Sequence, residues 1–102
     1  MPKTLDPADR LSAMLRAIAD PTRRKILHIL RDKNHRATDK PHGMFAGDIE
    51  QHLNLAQPTV SHHLRVLKSV GLLESTKQGQ WIWFRRKESA LRELAKGLRD
   101  QL

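Results

Sequence analysis

The side chains best suited to chemistry lie in one short stretch, where Gln57, Thr59, Ser61, His62 and Arg65 interleave with apolar Val60, Leu64, Leu67 and Val70. The apolar residues recur by four, three and three, so a helix here buries one face and turns its polar set outward. Such side chains can recognise base edges: glutamine pairs with adenine, and arginine with guanine or a phosphate. The plainer alternative is a polar face that only meets water. A second set, Lys77, Gln78 and Gly79, sits at the expected tip of a hairpin, where it could touch phosphate or the minor groove or simply be solvated.

Other chemistries find less support. Ser61 and His62 are sequence neighbours, which is not the geometry of a nucleophile and its base. There is no glycine-rich phosphate loop. Cysteine is absent, which removes disulfides, thiolate metal sites and thiol redox switches. His28, His35, His42, His52 and Asp39 remain as metal-ligand candidates, and His35, Asp39 and His42 could converge if their loop folded around an ion. Loop histidines are more often just exposed, so no metal site, cofactor or catalytic residue is assigned, and an enzyme is not expected.

The composition agrees with a nucleic-acid partner. Nineteen Lys and Arg stand against 11 Asp and Glu, a net charge of +8 over 102 residues, and each phosphate neutralised by a cation releases condensed counterions. Charge alone does not separate DNA from RNA or an anionic membrane. No apolar run is long enough to span a bilayer, and the N-terminus has no signal-peptide core, so a soluble cytoplasmic protein without membrane contact is expected.

The elements that must position these residues follow from local patterns. Leu11, Met14, Leu15 and Ile18 mark a first amphipathic helix over Asp9 to Ala19. Asp20-Pro21 reads as an N-cap and first position of a second helix through Ile26, Leu27, Ile29 and Leu30. A long loop is expected between Arg31 and Phe45. A short helix from Gly47 to His52, the connection Asn54-Leu55-Ala56-Gln57 and a helix from Gln57 to Val70 form a helix-turn-helix pattern. Gly71 suits a left-handed C-cap. Leu72 to Lys77 and Gln80 to Arg85 flank Gln78-Gly79 as a β-hairpin, in which either Trp81 and Trp83 or Ile82 and Phe84 face the core; at least one tryptophan is expected to pack there, and an exposed one could pack on a dimer partner or stack on a base. From Glu88 to Leu102 a last helix carries Leu91, Leu94, Ala95 and Leu98 on one face. The expected fold is mainly α with a small β-hairpin, a winged helix-turn-helix in one DNA-binding domain over residues 1–102.

Two segments, from Ala17-Ile18-Ala19-Asp20-Pro21-Thr22-Arg23-Arg24-Lys25-Ile26-Leu27 and from Ala56-Gln57-Pro58-Thr59-Val60-Ser61-His62-His63-Leu64-Arg65-Val66-Leu67 on to Leu73, together with Gly79-Gln80-Trp81-Ile82-Trp83-Phe84, resemble the ArsR/SmtB family of repressors. The resemblance implies a winged-helix homodimer that blocks transcription until a signal weakens its hold on double-stranded DNA. It implies Gln57, Thr59, Ser61, His62 and Arg65 as the DNA-facing set, with His63 given to packing or capping. Dimerisation through the first and last helices would use Leu11, Leu15, Ile18, Leu91, Leu94 and Leu98, although in a monomer the same faces could pack within one chain.

Three departures from the family pattern stand out. Ala56 replaces the usual serine, a loss of a helix cap that typically costs about 1 kcal/mol. The metal-site cysteines of many relatives fall here on Phe45 and Gly47. The last helix has no histidine, and Glu88, Glu93 and Asp100 alone suit zinc poorly. The expected function is therefore a repressor at a palindromic operator without the usual metal sensing and with no obvious small-molecule inducer. A winged module for protein or RNA contacts, or a His-based metal-responsive repressor, is the alternative.

Overall fold

A computed structural model describes residues 6–33 and 43–102. Its elements run α1 (Pro7–Ile18), α2 (Pro21–Lys33), β1 (Met44–Phe45), α3 (Ala46–Leu53), α4 (Gln57–Ser69), β2 (Leu73–Gln78), β3 (Trp81–Arg86) and α5 (Glu88–Gln101). Capping residues set the first boundaries. Asp6 accepts the Asp9 N–H at 2.9 Å, and Asp20 Oδ1 accepts those of Thr22 and Arg23 at 2.8 and 3.1 Å, so otherwise unpaired donors at both helix starts are satisfied. Arg24 closes the end of α1 by donating to the carbonyls of Ile18 and Ala19.

The expected hairpin is present, but within a three-stranded antiparallel sheet of order β1-β3-β2. Met44 pairs with Phe84 and Phe45 with Trp83. The expected loop between Arg31 and Phe45 is correspondingly shorter: α2 continues to Lys33 and a strand begins at Met44, while residues 34–42, with His35, Asp39 and His42, lie outside the described residues. The hairpin turn is Gly79-Gln80, one residue beyond the expected Gln78-Gly79, because Gln78 still pairs with Trp81. Gly79 takes φ 61° and Gly71, just past α4, takes φ 79°, the left-handed conformations that a tight hairpin and a helix C-terminus demand.

Ile26, Leu30, Ile49, Val60, Leu67 and Leu72 form the fully enclosed centre, with Leu64 from α4 and Leu73 from β2 beside them. No buried polar residue interrupts this core among the described residues. Phe84 packs against it, whereas Trp81 and Trp83 lie on the opposite face of β3 and stack on Phe45, with ring centroids 5.0 and 3.8 Å away. The inward pair of the wing is thus Ile82 and Phe84, and neither tryptophan joins the core as expected, because both turn to Phe45 instead; Ile82 lies past the core and is 45% exposed. No described helix is long and apolar enough to cross a membrane.

Helices α1 and α5 pack on each other within the chain, joined at the surface by an Arg10–Glu93 ion pair. Two residues expected at a subunit interface are consumed by this contact. Leu11 is 7% exposed and Leu94 5%, since Leu11 shares the buried side of α1 with Met14 and Ala17, and Leu94 that of α5 with Ala90. Leu15, Ile18, Leu91 and Leu98 are only half-covered. Ala95, expected beside Leu94, is exposed instead.

Candidate nucleic-acid interface

The turn between α3 and α4 is Asn54-Leu55-Ala56, made tight by Asn54 in the left-handed region at φ 54°. It also satisfies the end of α3, since the Leu55 N–H reaches the Glu50 carbonyl at 3.3 Å. Helix α4 then begins at Gln57 with no side-chain cap from Ala56, its start set by Pro58 in the first turn.

Val60, Leu64 and Leu67 anchor α4 in the core. At about 100° per residue, His62 and Arg65 project from the opposite side, and both are exposed. Gln57 and Thr59 are exposed in the first turn, and Ser61 is half-buried on a flank. His63 is also half-buried, and its Nδ1 is enclosed without a hydrogen-bond partner among the described residues. Asp20 lies near enough for the His63 charge to act on it. The adjacent histidines therefore occupy different environments.

On the wing, Lys77, Gln78 and Gly79 are exposed. Lys68, near the end of α4, donates from Nζ to Ser75 Oγ of β2 at 2.7 Å. Glu74 and Arg85, opposite each other across the hairpin, pair at 2.6 Å, and Arg86 donates to the Leu27 carbonyl at 3.3 Å. These contacts tie the wing to α4 and to α2.

Arg10, Arg23, Arg85, Arg86 and Arg99 each face a carboxylate. Arg65 and Lys77 have no ion-pair partner among the described residues, and α4 contains no Asp or Glu. Arg16, Lys25, Lys87, Arg92 and Lys96 are likewise without one among the described residues, so the surplus of positive charge is spread over the surface and includes the outward side of α4 and the wing, where it suits a phosphate backbone.

For metals, no group of three or more His, Asp or Glu could hold an ion among the described residues. His28 and His52 are exposed on separate helices. Phe45, at the first of the two cysteine positions, ends β1, and Gly47, at the second, lies in the first turn of α3. Sequence reasoning missed β1, the left-handed Asn54 and the Lys68–Ser75 contact. Asn54, a residue that tolerates positive φ between two helical patterns, was the available signal for the second; β1 and the side-chain contact had none.

Comparison with known proteins places this geometry. A helix-turn-helix domain family model matches residues 18–76, more than half the chain. The chain is 38% identical over 74 residues to the transcriptional repressor SdpR of Bacillus subtilis, covering 72% of each protein. It is 31% identical over 94 residues to an HTH-type transcriptional regulator, MJ1325, of Methanocaldococcus jannaschii, covering 92% of this chain and 96% of that protein. An ArsR-like transcriptional regulator from Rhodococcus sp. RHA1 superposes with a TM-score of 0.76 at 26% identity, covering 91% of this chain and 79% of that one.

Proposed function

The chain belongs to the ArsR/SmtB family of DNA-binding transcriptional regulators, which are not enzymes, and from that premise we propose that it represses transcription as a homodimer on a palindromic operator. In this reading residues 1–102 act as one winged domain. Gln57, Thr59, Ser61, His62 and Arg65 face the major groove, where an inserted helix reads base edges. Lys77, Gln78 and Gly79 of the wing reach the flanking phosphates or minor groove. The observation that carries the reading is the outward face of α4, where exposed His62 and Arg65 stand opposite the buried Val60, Leu64 and Leu67 on a helix free of carboxylates.

Dimerisation completes the proposal. Leu91, Ala95 and Leu98 form one stripe on α5, extended by Leu102 just past its end, that the chain itself leaves half-covered or exposed, and Leu15 and Ile18 continue it on α1. A second copy would cover that stripe and set two α4 helices about one DNA turn apart. Leu11 and Leu94 support the stripe from beneath. Control of such a dimer does not run through thiolate metal sites, since the chain has no cysteine.

The test is binding to DNA from upstream of its own gene against a scrambled duplex, at two salt concentrations, with zinc or a chelator. Selective binding that falls steeply with salt and ignores metal is expected. Arg65→Ala and His62→Ala should each weaken operator binding by about 1–3 kcal/mol while leaving the fold intact. Equal affinity for both duplexes would favour a protein- or RNA-directed module, and release by zinc would return the histidines as ligands.

A further inference from the structure

We propose that the cleft between the first turn of α3 and the wing is a binding site for a hydrophobic organic cation. The cleft has a volume of about 520 Å³, with Phe45, Asp48, Gln51, Gln80, Trp81 and Ile82 among its walls. That volume lies in the range of small-molecule sites.

Its chemistry selects the ligand. Trp81 is 55% exposed and stands 5.0 Å from the Phe45 ring, which itself stacks on Trp83 at 3.8 Å. Phe45 and Trp81 of this cluster line the cleft, and aromatic rings attract cations. The charged side chain in the lining is Asp48, and no Lys or Arg joins it. In a chain with 19 basic residues against 11 acidic ones, the lining itself carries one carboxylate and no base, while Lys77 stands opposite Ile82 across the hairpin. Asp48 has no ion-pair partner among the described residues. It also occupies the first turn of α3, where its charge offsets the positive end of the helix that would otherwise draw an anion. Gln51 and Gln80 supply amides for a polar substituent.

The two walls belong to different working parts. Asp48 and Gln51 lie on the first helix of the helix-turn-helix, while Gln80 and Trp81 begin the returning strand of the wing beside Lys77, Gln78 and Gly79. An occupant bridges them and fixes the wing relative to α3. The effect of that on DNA rests on the operator-binding reading; the binding of the cation does not.

The experiment titrates tetraphenylphosphonium, and separately its same-shaped anion tetraphenylborate, onto the full chain. Trp81 and Trp83 are the two tryptophans of the protein, so indole emission reports on this aromatic cluster, and calorimetry gives the affinity. Saturable binding of the cation with a change in emission is expected, tighter than binding of the anion despite the net charge of +8. Asp48→Asn and Trp81→Leu should each weaken the cation by about two- to fivefold, as expected for an exposed charge pair and an exposed cation–π contact, with thermal unfolding checking that both variants fold. Anion binding equal to or tighter than the cation's, or cation binding untouched by both substitutions, overturns the site. Operator binding measured alongside separates the two readings: cation binding without operator binding refutes only the repressor, and operator binding without cation binding refutes only the cleft.

Discussion

Lys68 Nζ donates to Ser75 Oγ at 2.7 Å, joining the end of α4 to the wing at the surface of the molecule. An exposed contact of this kind adds little stability, yet it sets where an ammonium group stands between the two elements proposed to hold DNA. Lys68→Gln should lower the slope of log affinity against log salt by about one, the signature of one lost phosphate contact. Ser75→Ala should leave that slope unchanged and shift stability by less than about 0.5 kcal/mol. Salt titrations of operator binding, with thermal melts of each variant, check both; an unaltered slope in Lys68→Gln would place its charge away from the backbone.

The uncapped start of α4 offers a gain. Ala56 has the extended backbone of an N-cap, φ −69° and ψ 150°, but no oxygen to accept the free amide donors. Ala56→Ser restores that acceptor and should stabilise the protein by about 1 kcal/mol, which raises the midpoint of thermal unfolding by about 4–8 °C in a domain of this size. Paired melts of the two proteins read the change. No increase would mean that water or a neighbouring group already satisfies the first turn.

Local signals carried most of the fold. Asp20-Pro21 starts α2, the apolar spacing of Val60, Leu64 and Leu67 sets the buried side of α4, and Gly71 ends that region, each through chemistry confined to a few residues. Relationships across the chain were not legible. Met44–Phe45 is too short to show a period, and its partners Trp83 and Phe84 lie far along the chain. Alternation in the wing predicts two faces but cannot choose between them; Phe45 stacking on Trp83 makes that choice. Helical spacing likewise groups Leu91, Leu94 and Leu98 without saying that Leu94 is buried within the chain. Of the proposed DNA-facing residues, their outward placement on α4 was legible because it is the complement of the core pattern, while the Lys68–Ser75 contact depends on where β2 folds back.

That distinction decides how to test the dimer. Leu94→Glu would place a charge in the α1–α5 contact and unfold the chain, which says nothing about a partner. Ala95 is exposed at the centre of the stripe Leu91, Ala95, Leu98 and Leu102. Ala95→Glu should therefore leave the thermal behaviour of the isolated chain intact and shift sedimentation from dimer to monomer. Operator affinity should fall with it, since a single half-site retains only part of the contacts. A dimer undisturbed by this change would move the interface off α5.

Asp20 makes the fold sensitive to acid. The Arg23 N–H donated to its carboxylate is the main cause that holds its pKa below the ordinary value of 3.8; desolvation opposes the shift, and the Thr22 N–H together with the charges of His63 and Arg23 add to it. A carboxyl group whose pKa is lower in the folded state favours folding while it is ionised. Its contribution is therefore complete above the unfolded value and is lost as pH falls through the folded one. Melting curves between about pH 6 and pH 2 should show a loss of stability in the native protein that is smaller in Asp20→Asn over the acid end. At neutral pH the asparagine keeps an acceptor for the start of α2 but loses the charge facing Arg23, so Asp20→Asn should be less stable there than the native protein, and the two curves should converge in acid. Curves that stay parallel throughout would show that Asp20 titrates alike in the folded and unfolded chain, and that its two amide contacts do not discriminate between its charged and neutral forms.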